Sequence, residues 1–100
     1  MGQIWQNSIL YSGGGGVNIS SAVKTLSASG WDILSRQQTI TVSGITSSSI
    51  IWVAPVSNNT SNYANYTGAG IRAISQTTNS ITFICDNLPS VNISVNICYC

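Results

Sequence analysis

The chain has 100 residues, enough for one domain with a single modest core and too few for two. Hydrophobic residues make up 43% of it and charged residues only 5%, against about a quarter in an average protein. The three cations and two anions are scattered along the chain and give a net charge of +1, so nucleic acid is excluded as the expected partner. Because so few charges do little to keep copies apart, the composition favours a component of an assembly.

The first twelve residues form an apolar segment ahead of a run of glycines. The segment lacks the basic start and apolar core of a signal peptide, and no apolar run in the chain approaches the ~18 residues that span a bilayer, so no membrane insertion is expected. Residues 1–12 are predicted to be an anchoring arm that packs on, or adds a strand to, another protein, and 13–20 to be a glycine-rich linker. The anchoring side chains are Ile4, Trp5, Ile9, Leu10 and Tyr11.

Beyond the linker, apolar and polar residues alternate at period two, which predicts strands and no helix. The stretch 49–55 is apolar on both faces and ends at a proline, which predicts a central strand covered on two sides. The turn residues of 86–90, "DNLPS", predict a hairpin that joins the last two strands, whereas 30–35 fits either a strand or a tight helical turn. The predicted strands are 23–28, 38–44, 49–55, 70–75, 80–85 and 91–98.

Short strands separated by Gly, Asn and Ser turns define the expected fold. We predict an all-β chain whose residues 21–100 form a small antiparallel β-sandwich or jelly-roll-like domain of about six or seven strands, with an extended N-terminal arm. In the last strand, alternate residues should face the core. These are Val91, Ile93, Val95 and Ile97.

The polar stretch 56–70 is too long for a simple turn. Its tyrosine rings and amide groups are the combination that a sugar ring or a protein partner can use, which makes it the candidate ligand-binding loop. The alternative is a solvated loop whose tyrosines pack back on the sheet. The candidate contact residues are Asn58, Asn59, Asn62, Tyr63, Asn65 and Tyr66.

The residues needed for most hydrolytic chemistry are missing. The chain has no histidine and no glutamate, so neither a Ser–His–Asp nor a Cys–His arrangement can be built, and the glycine run lacks the Lys-Ser/Thr of a phosphate-binding loop. A glycosidase pair of Asp32 and Asp86 is the remaining catalytic option. Lys24 and Arg72 are better explained as a solvated edge residue and as the ion-pair partner of Asp86. We therefore expect a protein that is not an enzyme and takes no cofactor.

Three cysteines lie in the last sixteen residues. An odd number cannot form a closed set of intramolecular disulfides, and a zinc site would need a ligand from an aspartate or another chain. Reduced, partly buried thiols are expected, with an intersubunit disulfide as the alternative. The cysteines are Cys85, Cys98 and Cys100.

From residue 38 onward four stretches carry a recognisable pattern: "QTITVSGITSSSIIWVAP", "NYANYTGAGIRAISQ", "NSITFICDNLP" and "VNISVNI". Together they resemble a module found at the C-terminal ends of tail-fibre, head-fibre and other minor structural proteins of tailed phages. The opening "MGQIWQNSILYSGGGG" is similar to the short N-terminal segments of phage virion proteins. The module often has cysteine after its arginine, where this chain has Ala73, so the cysteines here do not inherit the family's pairing.

The resemblance implies a homotrimer on the virion surface, made in the host cytoplasm and able to touch a host-surface glycan. The first hypothesis is a head fibre or capsid decoration protein, with a tail-fibre tip second, held to a capsid or other virion protein through residues 1–12. The alternative is a filament subunit in which the N-terminal segment of one copy completes the sheet of the next.

Overall fold

The computed structural model describes residues 19–100, which form two three-stranded antiparallel sheets. Sheet A has the strand order β1-β6-β3 and sheet B the order β2-β5-β4. The elements are β1 (Ser20–Leu26), β2 (Gln37–Thr41), β3 (Ile51–Pro55), α1 (Thr60–Ala69), β4 (Arg72–Thr77), β5 (Ser80–Ile84) and β6 (Ile93–Tyr99), with a 3-10 turn at Ala28–Gly30. The predicted antiparallel β-sandwich with six or seven strands is confirmed. The anchoring arm, residues 1–12, and the glycines that follow it lie outside the described residues.

The core lies between the two sheets and is built from alternate residues of their strands. Ile93, Val95 and Ile97 of β6 are 0% exposed, and they pack in one cluster with Ile81 and Phe83 of β5. Each such side chain contributes roughly 1.5–3 kcal/mol when it is taken out of water. The period-two pattern therefore predicts the inward face of β6 correctly.

The start of the last strand is predicted two residues too early. Val91 precedes β6, and 42% of its surface is exposed, so it does not face the core with the residues that follow it. Alternation alone does not show where the hydrogen-bonded ladder begins, since the residues before it can continue the pattern by chance.

The prediction that 49–55 is a central strand is wrong, because β3 is an edge strand and β6 occupies the centre of sheet A. Ile51 and Val53 belong to the core, whereas Trp52, which is only 8% exposed, lies outside the core cluster. The continuous apolar run therefore indicates that both faces of the strand are buried, and it does not indicate that the strand lies at the centre of the sheet. Pro55 has no N–H to donate, but at the end of an edge strand no hydrogen bond between strands is lost because of it.

The predicted hairpin at 86–90 is also wrong, since β5 belongs to sheet B and β6 to sheet A. The backbone N–H groups of Asp86 and Asn87 donate to the Ala69 carbonyl, at 2.8 and 3.1 Å, and this draws the chain away from β5. The hairpin of sheet B instead joins β4 to β5. Its turn contains Asn79 at a φ of 63°, a left-handed conformation that asparagine tolerates.

The prediction of an irregular loop over 56–70 is wrong, because ten of these residues form α1. The Asn59 side chain caps the first turn by accepting hydrogen bonds from the N–H groups of Ser61 and Asn62, at 3.0 and 3.2 Å. Gly70 ends the helix in the left-handed conformation, at a φ of 66°. The helix has no continuous apolar face, so its capping residues rather than its periodicity were the signal in the sequence.

Three connections run between the sheets at one end of the sandwich, which we call the connection end. They are 27–36 between β1 and β2, 56–71 between β3 and β4, and 85–92 between β5 and β6. The Gln38 side chain joins the two sheets there. It donates to the Ser27 carbonyl at 3.0 Å and accepts from the Ser27 N–H at 3.1 Å.

The other end, which we call the hairpin end, holds the connection 42–50 and the turn between β4 and β5. Ser20, the first residue of β1, pairs there with Tyr99. The Tyr99 hydroxyl donates to the Ser43 carbonyl at 2.9 Å, which ties β6 to the end of β2. The chain therefore enters the described domain at the end opposite to the three connections.

Candidate functional site

Four of the five charged side chains belong to the connection end, although they are scattered in the sequence. Gln37 and Arg72 both pair with Ile84, so the starts of β2 and β4 flank the end of β5. Arg36 directly precedes β2, and Asp86 lies two residues after the end of β5, while Asp32 lies in the connection that leads to β2. The pairing register of sheet B thus brings the charged residues to the same end of the sandwich. The sequence does not show this clustering, because the register cannot be read from it.

Arg72 and Asp86 form an ion pair, as expected. Arg72 Nη1 lies 3.0 Å from Asp86 Oδ1 and also donates to the Gly70 carbonyl at 2.8 Å. Their side chains are 51% and 63% exposed, so solvent screens the pair and its contribution to stability is about 1 kcal/mol or less. The pair links the start of β4 to the connection that follows β5.

Asp32 has a different structural role. Its Oδ1 accepts hydrogen bonds from the N–H groups of Ser35 and Leu34, both at 2.9 Å. These bonds lower the pKa of Asp32 because they stabilise the ionised carboxylate. A glycosidase general acid needs a raised pKa, and Asp86 is already paired with Arg72, so the geometry does not favour the Asp32–Asp86 pair as an acid–base couple.

Three of the six candidate ligand residues have structural roles. Asn59 caps α1, and Asn62 donates from Nδ2 to the Val56 and Ser94 carbonyls at 2.8 and 3.0 Å. Asn62 Oδ1 also accepts from the Ser94 N–H at 2.8 Å, so this side chain fastens α1 to β6. Tyr66 packs against the core, and this burial raises the pKa of its phenol.

The other three candidates, Asn58, Tyr63 and Asn65, are exposed. A groove of about 390 Å³, which we call the asparagine groove, brings Asn58 and Asn65 together with Asn92 of the last connection. Its lining residues are Val56, Asn58, Asn59, Ser61, Asn62, Asn65, Val91, Asn92 and Ser94.

Tyr63 lies apart from the asparagine groove. It lines a separate depression with Ala54, Pro55, Ser57 and Asn96. The expected joint surface of tyrosine rings and amides is therefore not assembled, because the helical turn of α1 directs Tyr63 and Asn65 to different sides. If 56–70 is treated as a loop, nothing in the sequence predicts that Tyr63 and Asn65 lie on different sides.

A pair of aliphatic side chains projects from the connection 27–36. Ile33 is 75% exposed and Leu34 is 95% exposed, and we call this pair the apolar tip. Below it, Trp31 is 6% exposed and belongs to the core. The sequence does not predict the tip, because 30–35 fits either a strand or a turn. The signal it does contain is two adjacent aliphatic residues outside any alternating pattern.

Backbone hydrogen bonds close the turn that carries the apolar tip. The Arg36 N–H donates to the Asp32 carbonyl at 2.7 Å, and the Asp32 N–H donates to the Gln37 carbonyl at 2.9 Å. Arg36 has a φ of 59°. Together with the two bonds to the Asp32 carboxylate, these contacts fix the conformation of the turn.

A second groove lies beside the last turns of α1, and we call it the α1 groove. It has a volume of about 230 Å³, and small residues of the helix form one wall while 87–91 forms the other. Leu88 and Val91 are 43% and 42% exposed. The lining residues are Ala64, Asn65, Gly68, Ala69, Asn87, Leu88, Pro89, Ser90 and Val91.

The thiols differ in exposure: Cys85 is buried, Cys98 is half-buried and Cys100 is exposed. Burial is the main cause of the raised pKa of the Cys85 thiol. Among residues 19–100 no three His, Cys, Asp or Glu side chains come together as metal ligands would. Within the same residues, no helix has the length and apolar character needed to cross a membrane.

Comparisons with protein-family models, curated proteins and solved structures give no match to this chain. Its function therefore has to be inferred from its own sequence and geometry. Those define a small β-sandwich with charges, apolar residues and two grooves gathered at the end opposite to the start of β1.

Proposed function

We propose that this chain is a non-enzymatic structural protein of a phage virion, a head fibre or capsid decoration protein first and a tail-fibre tip second. Its N-terminal arm anchors it to a capsid or other virion protein, and its sandwich displays the connection end to the surroundings. The observation that carries the proposal is the polarity of the domain. The chain enters at the hairpin end, whereas the three connections that carry the exposed grooves lie at the other end.

A displayed domain needs its attachment and its contact surface to be well separated. Residues 1–12 supply apolar side chains for attachment, and the glycines at 13–16 supply a linker between attachment and sandwich. The low charge of the chain suits a subunit that is present in many copies. On this proposal the protein forms a homotrimer at the virion surface.

Contact with the host falls to the asparagine groove. The exposed amides of Asn58 and Asn65 offer both donors and acceptors, which suit the hydroxyl groups of a host-surface glycan. Asn92 adds its Nδ2 donors, since its Oδ1 already accepts from the Ala28 N–H at 2.9 Å. Asn59 and Asn62 contribute to the groove wall but are held by structural hydrogen bonds. Recognition is therefore assigned to the amides of Asn58 and Asn65, with the Nδ2 group of Asn92 as a further donor.

The anchoring role can be tested in the full-length chain. Replacing Trp5 and Ile9 with serine should remove apolar contact from the arm and abolish binding to undecorated particles in a co-sedimentation assay. Val23→Ser is the matched control, since it removes an apolar side chain that is 65% exposed on β1. Undiminished binding of the arm variant, with the far-ultraviolet circular dichroism spectrum unchanged, would reject anchoring by residues 1–12.

The recognition role needs its own variant. The double change Asn58→Ala and Asn65→Ala should leave the fold intact and lower adsorption of decorated particles to host cells by about tenfold or more, the range that loss of two polar contacts supports. Tyr63→Ala, on a different side of α1, is the control. If the double variant adsorbs normally, the asparagine groove is a solvated surface.

The alternative function, a self-assembling filament, is favoured by one observation. Sheet A ends in two edge strands, β1 and β3, and an edge strand can accept a strand donated by another copy. Electron microscopy of the purified protein distinguishes the two functions. Filaments that vanish in the Trp5 and Ile9 variant support strand donation, and discrete oligomers oppose it.

A further inference from the structure

The edge of sheet A along β1 has backbone groups that a further strand could pair with. Ile50 and Cys100 exchange two backbone hydrogen bonds of 3.1 Å, so Cys100 and every second residue before it in β6 face β3. The residues of β6 between them face β1, where the register places their partners at Ala22 and Lys24. The backbone groups between these partners point away from β6, and no partner for them occurs within residues 19–100. They belong to Ser21, Val23 and Thr25.

The sandwich is also less well covered along β1 than along β3, the other edge strand of sheet A. Ala22 and Lys24 lie opposite Ile97 and Val95 of β6, so their side chains are on the core face of the sheet, yet both are only half-buried. On β3, every residue that faces the core is buried. A further strand beside β1 would therefore complete the cover of the core.

The chain itself supplies a segment at this edge. Residues 1–18 lie outside the described residues, and the chain passes from them almost directly into β1. The four glycines at 13–16 have the length of a β-hairpin loop and can adopt the dihedral angles of any turn. With that loop, Ser12 lies opposite Val17, and the pairing runs along β1 until Ile4 lies opposite Thr25.

The sequence of the segment fits this register. The free backbone groups of β1 meet Ser8, Gln6 and Ile4, and the polar side chains of Gln6 and Ser8 lie on the solvent face. Trp5 lies opposite Lys24 on the core face, where its ring can cover the lysine stem and attract the ammonium group. The residues of the segment on the core face are Trp5, Asn7, Ile9 and Tyr11.

A second copy of β1 is less suited to this edge. Lys24 points towards the core, and a cation that points inward on an edge strand opposes pairing between copies. Two β1 strands side by side would bring two such lysines close together, whereas residues 1–12 contain no charged side chain. The short glycine linker also keeps the segment at a high effective concentration beside its own β1.

We propose that residues 4–12 pair antiparallel with β1 of the same chain, as a seventh strand joined through a hairpin loop at 13–16. The pairing itself does not depend on the proposed function. One consequence does rest on that function: a particle and the β1 edge compete for the same segment. Trp5 and Ile9 then stay covered in the free protein until the arm transfers to its attachment site.

Amide hydrogen exchange in the full-length chain, followed by NMR, tests the pairing. The N–H groups of Ser21, Val23 and Thr25 should exchange more slowly than free amides by about tenfold or more. The N–H groups of Ala22 and Lys24 are bonded to β6 in either case and are the internal controls. If the first three exchange as free amides while the two controls are protected, the edge is open and the proposal is overturned.

Gln6→Pro and Asn7→Pro are a matched pair that tests the register. In the proposed pairing the Gln6 N–H donates to the Val23 carbonyl, whereas the Asn7 N–H points away from β1, so proline removes a hydrogen bond between strands only at position 6. Gln6→Pro should return the Val23 amide to nearly the rate of a free amide, and Asn7→Pro should leave it protected. Equal effects of the two prolines, or the reverse order, overturn the register.

A nuclear Overhauser contact between the Cα hydrogens of Trp5 and Lys24 shows which chain supplies the strand. These residues form a pair without hydrogen bonds, in which the Cα atoms are about 4.5 Å apart. In a sample refolded from equal parts of isotope-labelled and unlabelled chain, the contact should occur only within labelled chains. A contact between chains means that another copy donates the segment, and it overturns the proposal.

Co-sedimentation with particles separates this proposal from the proposed function. A protected β1 edge in a wild-type chain that does not bind particles leaves the pairing standing and rejects the anchoring role. Binding to particles by a chain whose β1 edge is unprotected in the free state rejects the pairing alone.

Discussion

Asn62 shows how one side chain can replace a hydrophobic face in holding a helix. Its amide makes three hydrogen bonds, of 2.8, 3.0 and 2.8 Å, to backbone groups of Val56 and Ser94. Replacing it with alanine removes all three bonds, although the Ser94 carbonyl keeps the Val56 N–H as a donor at 3.0 Å. The loss should lower the free energy of unfolding by about 1–3 kcal/mol. The measurement is the midpoint of urea unfolding.

Asn65→Ala is the matched control for Asn62→Ala. Asn65 is exposed in the same helix, and both changes gain the same small helix propensity from alanine, so their difference isolates the hydrogen bonds to Val56 and Ser94. The control should stay within about 0.5 kcal/mol of wild type. Equal free energies of unfolding for the two variants would show that the Asn62 contacts are not stabilising.

Asp32 makes the turn below the apolar tip sensitive to acid. Its pKa in the folded protein is lower than its ordinary value of 3.8, because backbone N–H groups of Ser35 and Leu34 bind the carboxylate. Its contribution to stability is therefore complete above pH 3.8 and is lost as the pH falls through the lowered pKa. The amide chemical shifts of Leu34 and Ser35 should titrate with a midpoint below 3.8.

Asp32→Asn provides the control for that titration. The asparagine oxygen can accept the same two hydrogen bonds but does not ionise, so the shifts should stay constant with pH. A wild-type midpoint at or above 3.8 would mean that the turn does not hold the carboxylate in solution.

Among the elements, the stability of α1 and the position of its C-terminal end depend on where its glycines lie. Gly70 has a φ of 66°, and a Cβ atom there would press on the Asp86 carboxylate. Gly70→Ala should therefore cost about 1–2 kcal/mol for the left-handed conformation, with a further loss as Asp86 moves from Arg72. Unfolding in urea measures this cost.

Gly68→Ala is the opposite case in the same helix. Gly68 is two residues from Gly70, does not have a positive φ and has open space at the Cβ position, so alanine should raise the free energy of unfolding by about 0.5–1 kcal/mol. A destabilised Gly68→Ala or a neutral Gly70→Ala would contradict the C-terminal boundary of α1.

These elements also show which parts of the fold can be predicted from the sequence alone. Alternation identifies β5 and β6 because each buries one face, and their residues behave as that pattern requires. It misses α1, because a helix held by the Asn59 cap, Gly70 and the Asn62 contacts needs no apolar stripe. The turn residues of 86–90 also predict the wrong neighbour for β6. They do not reveal that the N–H groups of Asp86 and Asn87 bond to the end of a helix.

The candidate site could be predicted only in part for the same reason. Residue type alone predicts Asn58 and Asn65. The groove that joins them to Asn92 depends on the packing of α1 against β6, linked by Asn62 and Ser94, which are 32 residues apart in the chain. Contacts of that range follow from tertiary pairing, which single-sequence periodicity does not contain.

At the scale of the whole molecule, the three thiols provide probes of how cooperatively the sandwich unfolds. Cys85 is 2% exposed and belongs to the core cluster, whereas Cys100 is exposed at the end of sheet A. Burial also raises the pKa of Cys85, which lowers its thiolate fraction at a given pH. In chains that retain a single cysteine, Cys100 should react with a disulfide reagent at close to the rate of a free thiol.

Cys85 should react only through opening of the sandwich, because both sheets contribute to the cluster that covers it. If the fold opens as one unit, the slowing of Cys85 relative to its rate in urea converts to the free energy of global unfolding, at tenfold per 1.4 kcal/mol. Asn62→Ala and Gly70→Ala should then accelerate Cys85 by the same factors by which they lower global stability. If the reaction rate of Cys85 is unchanged by these substitutions, sheet B opens independently of α1. The two sheets are then not one cooperative unit.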